Sequence, residues 1–337
     1  MDNLDGRSPL DVGIVVIGRN EGERLMPCLE SSLRVGCPVV YVDSGSEDRS
    51  IASARLLGVD VIELDRARPF SAARARNEGF SGLLAKYASI CFVQFLDGDC
   101  TLLPGWIEAA AQALSEDSKR AAVIGHLQER NADASVYNRL CALEWRSAAG
   151  DLQNYGYLGG ISLMRADVFR DLGGFRADVI AGEDSELGVR MGLAGYKVTK
   201  IDHPMATHDA GMKTFRQWWR RAVRAGHAIG QRYAINGHSA VRDCARERNS
   251  TIGWGIGLPI FVLATVWPTH GASFLLLAAY PLLGVRVWRY RRSMGDTSAD
   301  AALYAIFILI AKFANAVGLL KFYLNRRARN YEIIEYK

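Results

Sequence analysis

The sequence predicts an α/β domain with a mostly parallel, mixed sheet, followed by a C-terminal helical domain suited to a membrane. Two observations carry that prediction. In the first 130 residues, short β-branched runs alternate with stretches whose apolar residues recur at helical spacing, the rhythm of a parallel sheet covered by helices. From Asn249 to Val285 there is no Asp, Glu, Lys or Arg, whereas the preceding residues carry charge throughout.

Strands are expected at Val12–Ile17, Val39–Val42, Val59–Leu64 and Ile90–Leu96, with helices at Glu23–Val35, Ser50–Leu57 and Ala72–Leu84 between them. In an open α/β sheet the ligand crevice lies beyond the carboxyl ends of the strands, so the residues just after each strand are the functional candidates. These are Gly18-Arg19-Asn20-Glu21, Asp43-Ser44-Gly45-Ser46-Glu47-Asp48 and Asp97-Gly98-Asp99. Any one of them reads equally well as an ordinary turn, since Asp, Asn, Gly and Ser favour turns and caps for local reasons. Three acid-rich turns at successive strand ends converge on one sheet edge.

Asp97-Gly98-Asp99 follows an apolar strand and precedes a helix expected to open at Pro104. Two carboxylates separated by a glycine suit a hard divalent cation that also takes phosphate oxygens. The alternative is a tight turn whose aspartates cap the next helix. No Gly-rich dinucleotide fingerprint follows the first strand and no GxxxxGK[ST] occurs, which argues against dehydrogenases and P-loop NTPases. With 337 residues, 49% of them hydrophobic, the chain is neither disordered nor fibrous. Its 41 basic against 36 acidic residues give a net charge of only +5, too little to argue for nucleic acid as a partner. The six cysteines, Cys28, Cys37, Cys91, Cys100, Cys141 and Cys244, form no CxxC pair and suggest free thiols in a reducing compartment. Met1–Leu10 lacks the basic start and apolar stretch of a secretory signal, so a cytosolic body is expected.

Taken in order, the motifs over residues 11–210 resemble those of the family 2 glycosyltransferases, which have the GT-A fold. Val12–Glu21 resembles that family's opening strand, Val42–Asp48 its VDxGSxD turn, and Ala75-Arg76-Asn77-Glu78-Gly79 its ARNxG helix start. Asp97-Gly98-Asp99 stands in the place of its DxD motif. Gly159-Gly160 with Gly173-Gly174-Phe175 resembles its acceptor-side segment, and Gly182-Glu183-Asp184 its ED motif.

The resemblance implies a nucleotide-sugar site, with Asn20 and Glu21 in its first turn. Asp43 would accept a hydrogen bond from the base, and Arg76 with Asn77 would lie near the nucleotide. Asp97 would meet the ribose and the metal, while Asp99 would ligate the Mn²⁺ or Mg²⁺ that bridges the diphosphate. His208 resembles a histidine that many GT-A enzymes place on the metal. Asp184 would be the base in a direct displacement with inversion, supported by Glu183, and Gly159 and Gly160 would meet the acceptor. Without the resemblance, the Glu183–Asp184 pair reads equally well as ordinary N-terminal helix charge.

Residues 211–248 read as a juxtamembrane amphipathic segment. Gln217 and Arg220 have the spacing of the QxxRW motif of processive synthases, but Arg221 stands where its Trp is expected and the tryptophans come earlier. On a helix Gln217, Arg220, Arg221 and Arg224 form a basic stripe suited to phosphates, with Trp218 and Trp219 as interfacial anchors. The other reading of this segment is an amphipathic helix without a catalytic part.

Residues 249–337 read as a membrane domain. Ile252–Pro268 and Gly271–Val285 form an apolar hairpin over 250–288 with basic flanks, namely Arg242, Arg246 and Arg248 before it and Arg286, Arg289, Arg291 and Arg292 after it. By the positive-inside rule both flanks, and the catalytic body with them, face the cytoplasm at the cell (inner) membrane. A third apolar helix, 301–324, carries Lys312 and Asn315 and ends at Arg326, Arg327 and Arg329, so it reads either as a further span or as an interfacial helix. The expected activity is transfer of a sugar from a nucleotide diphosphate sugar to a hydroxyl of a lipid-linked acceptor, with membrane lipids as further partners. The alternatives are a processive polysaccharide synthase and a non-catalytic membrane scaffold that retains a nucleotide-binding fold.

Overall fold

A computed structural model describes residues 11–153 and 155–328; Met1–Leu10 and Arg329 of the sequence reading lie outside the described residues. The chain opens with β1 (Val12–Gly18), α1 (Leu25–Leu33), β2 (Val39–Asp43), α2 (Ser50–Leu56), β3 (Asp60–Glu63) and α3 (Ala72–Lys86). It continues with β4 (Phe92–Asp97), β5 (Cys100–Leu102), α4 (Trp106–Glu116), β6 (Arg120–Glu129) and α5 (Val136–Glu144). Next come β7 (Gly150–Asp151), β8 (Ser162–Arg165), α6 (Ala166–Asp171), α7 (Glu183–Leu193) and β9 (Lys197–His208). Five helices complete it: α8 (Phe215–Asn236), α9 (Ala245–Ile252), α10 (Leu258–Thr265), α11 (Ala279–Ser293) and α12 (Ser298–Ala328). Two compact units result, one of residues up to Asn131 with Trp145–Ala210, the other of Ala132–Glu144 with the residues from Gly211 onward.

The first unit is a mixed nine-stranded sheet in the order β3-β2-β1-β4-β8-β6-β9-β5, with β7 on β9. β3, β2, β1 and β4 are parallel, as the alternating pattern predicted, while β8 runs antiparallel to both β4 and β6. Side chains alternate across the sheet. Ile14, Val16 and Tyr41 enter one buried cluster with Leu25, Leu29 and Trp106, and Val15, Ile17 and Val42 enter the other with Leu83, Phe95 and Phe169. One close approach fixes the helix that matters most. A Cβ on Gly79 would collide with Val15 and stand 2.7 Å from Val42, so its absence lets α3 press onto β1 and β2. The helix expected to open at Pro104 starts instead at Trp106, because Gly105 takes the left-handed conformation at its N-cap with φ 77°.

In the second unit, the segment expected over 211–248 and the tail expected from 249 form one body, which also takes in α5. Arg139 on α5 pairs with Asp300 at 2.8 Å, and Arg291 pairs with buried Asp296 and donates to the Leu143 carbonyl. The apolar run Ile252–Pro268 is divided among the end of α9, a five-residue π-helical segment (Gly253–Gly257) and α10. Two helices are long and apolar enough to cross a membrane by length and composition, Ala272–Ser293 and Ser298–Arg327, with mean hydropathies of 1.2 and 2.0. The expected first arm of the hairpin is not one of them.

His227 on α8 is wholly buried, edge-on to Phe322, and neither ring nitrogen has a hydrogen-bond partner among the described residues. Burial first, then the charges of Arg224 and Lys321, lowers this imidazole from 6.5 to about 4. Between those two values the unfolded chain binds a proton that the folded chain refuses, so stability falls as the pH drops through that window. His227→Leu in detergent is expected to flatten the decline of Tm from pH 6.5 to pH 4. An unchanged slope in thermal melts would rule out His227 as the source.

Candidate active site

The site is assembled where β1, β2, β4 and β9 end. After β1 the chain turns through Asn20, left-handed at φ 54°, and its backbone N–H donates to Ser46 Oγ at 2.9 Å while its Oδ1 accepts from the Glu47 amide at 2.8 Å. Asn20 therefore stitches the β1 turn to the β2 turn. Asp43, expected to meet the base, is bound within its own turn. It is fully buried, Oδ1 accepts from the amides of Gly45 (2.9 Å) and Ser46 (2.7 Å), and Oδ2 accepts from Tyr41 Oη (2.9 Å) and Ser46 Oγ (2.5 Å). Four donors use the acceptor capacity of one carboxylate, so Asp43 shapes the turn from within. Burial, then Asp43 itself, pushes the Tyr41 phenol far above its ordinary range.

Arg76 is the centre of the arrangement. Its guanidinium is buried and donates from Nη1 to Glu183 Oε1 and from Nη2 to Asp97 Oδ1, each at 2.7 Å. The ring of Phe175 lies 5.5 Å from Cζ. Burial alone would lower its pKa, but the charges of Asp97, Glu183 and Asp184 prevail and raise it. Gly160 lies against this pair, since a Cβ there would strike Nη2 and stand 3.5 Å from Asp97 Oδ2. Gly159, at φ +76°, has open space around its missing side chain. Glu183 and Asp184 begin α7 behind left-handed Gly182, and the Ser185 amide donates to Asp184 Oδ1 at 2.6 Å. Asn77, expected near the nucleotide, is spent on structure: its Nδ2 donates to the Phe175 carbonyl at 2.7 Å and its Oδ1 accepts from the Phe175 amide at 2.9 Å. It holds in place the glycine-rich segment that carries Phe175.

Asp99 and His208 meet because β5 pairs with β9, with Cys100 opposite His208. His208 Nε2 lies 3.5 Å from Asp99 Oδ2, and Nδ1 lies 3.4 Å from Glu129 Oε2. Trp145 sits edge-on to the ring at 4.8 Å. One ligand atom from each of Asp99, Cys100 and His208 falls within 4.8 Å of the others. Burial, then Asp99 and Asp97, pushes the Cys100 thiol well above its ordinary range, which favours the protonated form that donates to Asp99. That leaves carboxylate oxygen and imidazole nitrogen, a donor set that suits Mn²⁺ or Mg²⁺, with the second ring nitrogen oriented by a carboxylate as in many metal sites. Glu21, Asp97 and Asp99 also converge on the buried Cys28 thiol, whose pKa rises with burial and then with their charges. Glu21 packs its side chain beside Gly98 and pairs with Arg24 at 2.9 Å. The sequence reading missed Glu129, whose link to His208 arises from the parallel pairing of β6 with β9, 79 residues away.

The four positions proposed for acceptor or phosphate contacts on α8 belong to the helical unit. Gln217 closes a capping box, its Oε1 accepting from the Lys213 and Thr214 amides. Trp218 is buried and stands edge-on to Phe307 at 4.8 Å, so it is packing and not an outward anchor. Arg221 pairs with Glu144 at 2.7 Å, and Arg220 is exposed.

Comparisons with known proteins bear on the fold and family. Residues 13–173 match the model of the family described as glycosyl transferase family 2. The chain is 27% identical over 349 residues to the pre-mycofactocin glycosyltransferase of Mycobacterium tuberculosis, covering 98% of this chain and 70% of that protein. Among solved structures, the mannosyltransferase PcManGT of Pyrobaculum calidifontis, in complex with GDP-Man and Mn²⁺, aligns with TM-score 0.58 at 19% identity, covering 92% of this chain and 87% of that one. Residues 1–349 of S. aureus TarS align with TM-score 0.55 at 13% identity, covering 97% and 95%. Residues 13–173 thus carry a family 2 glycosyltransferase domain, and the chain has the GT-A fold.

Proposed function

We propose that this glycosyltransferase moves a sugar, with inversion, from a nucleoside diphosphate sugar to a hydroxyl of a lipid-linked acceptor at the cytoplasmic face of the cell membrane. The observation that carries the reading is the buried Arg76 bridge, which ties the β4 carboxylate Asp97 to the start of α7, where Glu183 and Asp184 stand. It is joined by the Asp99–His208–Glu129 line at the end of β9. PcManGT, of similar fold, carries GDP-Man with Mn²⁺, which supports a nucleotide-sugar donor and a divalent cation.

Asp97, Asp99 and His208 would hold that cation, which when bound supplies positive charge against the diphosphate as the leaving group departs. The remaining work falls to the protein's own groups. Asp184 removes the proton from the acceptor hydroxyl as its oxygen forms the new bond to the anomeric carbon. The bond from that carbon to the phosphate oxygen breaks, and its electron pair leaves with the nucleoside diphosphate. Arg76 keeps Glu183 charged and fixed beside Asp184, so the base is aimed by its neighbour and by the Ser185 amide. The acceptor is assigned to a lipid because the second unit exposes many large apolar side chains from Ile260 to Leu282.

With purified full-length protein, Asp184→Asn is expected to lower kcat by about 10²–10⁴-fold while leaving Mn²⁺-dependent nucleotide binding in calorimetry unchanged. Asp99→Ala is expected to abolish that metal-dependent binding, and full turnover in either variant would refute the assigned roles. Because Arg76 holds Asp97 and Glu183 by two hydrogen bonds of 2.7 Å, Arg76→Met should lower kcat about 10-fold or more. Arg76→Lys should restore part of that loss, whereas turnover by Arg76→Met equal to wild type would exclude the bridging role.

A further inference from the structure

The helical unit contains two helices that pass the length and hydropathy test for spanning a bilayer, yet its packing assigns them different work. α8 lies along α12 in parallel: Trp218 meets Phe307, Gly226 faces the backbone of Asn315, and Gly230 faces Leu319 and Phe322. Gly226 and Gly230, with Gly318 against the Val223 carbonyl, let the two backbones approach closely. α8 also carries Arg216, Arg220, Arg221, Arg224 and Arg232. A bilayer around α12 between Phe307 and Phe322 would draw that helix, arginines included, into hydrocarbon.

Other elements cover further parts of α12. Arg248 of α9 donates to Tyr323 Oη at 2.8 Å, Lys312 donates to Ser250 Oγ at 2.9 Å, and Arg291 of α11 lies 4.4 Å from the Tyr304 ring centre. The carboxyl-terminal part of α11, which carries Arg286, Arg289, Arg291 and Arg292, runs back along α12, with Gly284 beside Leu309.

What remains is a hairpin whose two feet stand at the same level of α12. Gly255 leaves beside Lys312 and Ala316, and Tyr280 returns beside Phe313 at 5.7 Å, its hydroxyl donating to the Trp254 carbonyl at 2.6 Å. Between the feet the arms pack on each other, Ser273 Oγ donating to the Val262 carbonyl at 3.0 Å. The outer surface is apolar and open, with Trp267 89%, Leu275 78% and Leu263 68% exposed, and it holds no charged residue. The first arm is short: at ~1.5 Å per residue, α10 from Leu258 to Thr265 extends about 12 Å, less than half of a hydrocarbon core of about 30 Å.

We infer that the protein is monotopic: the hairpin tip, from Leu258 to Tyr280, inserts into the hydrocarbon of a single leaflet, while α12, held along the arginine-bearing α8, does not cross. Exposed Arg286 and Arg289, just beyond the hairpin, are placed to meet anionic headgroups. This rests on the membrane attachment proposed above and specifies its depth.

The test uses the full-length protein, with exposed Cys91 replaced by Ser, in sealed vesicles of phosphatidylcholine and phosphatidylglycerol. In a His270→Cys variant the tip thiol is expected to resist a membrane-impermeant maleimide supplied from either side and to label once detergent is added. Leu263→Glu with Leu275→Glu should reduce vesicle cosedimentation at least 10-fold without changing nucleotide binding. Labelling of the tip from the lumen would show a span, overturning the inference while keeping the attachment. A wild-type protein that fails to sediment with vesicles would overturn the attachment and the insertion together, and would leave the transferase assignment untouched.

Discussion

One buried guanidinium organises the acidic centre. Asp97 and the adjacent pair Glu183–Asp184 come from separate parts of the chain, and without a compensating cation their charges would repel. Arg76 meets two of them at 2.7 Å and feels the third, so the carboxylates hold its charge as firmly as it holds theirs. Its position depends on α3 lying tight on the sheet, which Gly79 permits one turn further on, and on Gly160, which leaves room for the head group. Asn77, beside Arg76, ties down the segment carrying Phe175, whose ring faces the same guanidinium. A few residues on one helix thus set the spacing of the whole site.

The electrostatics that result suit an anionic donor only if positive charge is added. Arg76 is already committed to Asp97 and Glu183, and Asp99 and Glu129 flank His208. A diphosphate brought to this edge would meet a surplus of carboxylates, so the same acids that repel the free donor favour its complex with a divalent cation. Under the proposed function, the arginine that neutralises Asp97 from behind leaves Asp99 to such a cation.

The fold was readable because its signals are local. Alternating apolar runs marked β1 to β4, and Ser, Asp and Gly marked the turns after them. The site was readable at the level of which turns converge, not of which atom each side chain serves. Asp43, Asn77 and Gln217 carry functional groups that the structure spends on backbone amides, and a sequence does not tell a carboxylate that binds a ligand from one that closes its own turn. Glu129 was invisible for the opposite reason. Its value comes from strand pairing with His208, a contact set by the whole sheet.

The apolar tail shows the same limit in another form, since hydropathy measures composition and composition has two causes. α12 is apolar in part because α8, α9 and α11 pack against it, its small residues Ala314 and Gly318 serving close helix approach, while Ile306, Leu320 and Leu324 on it stay exposed. The hairpin is apolar although nothing in the unit covers its outer face. Charge on the neighbours separates the two: α12 runs beside a partner bearing five arginines, whereas the hairpin proposed to enter lipid holds no charged residue. Attachment through such a tip leaves the helices that border the catalytic fold in the sequence outside the hydrocarbon, where their arginines remain hydrated or paired.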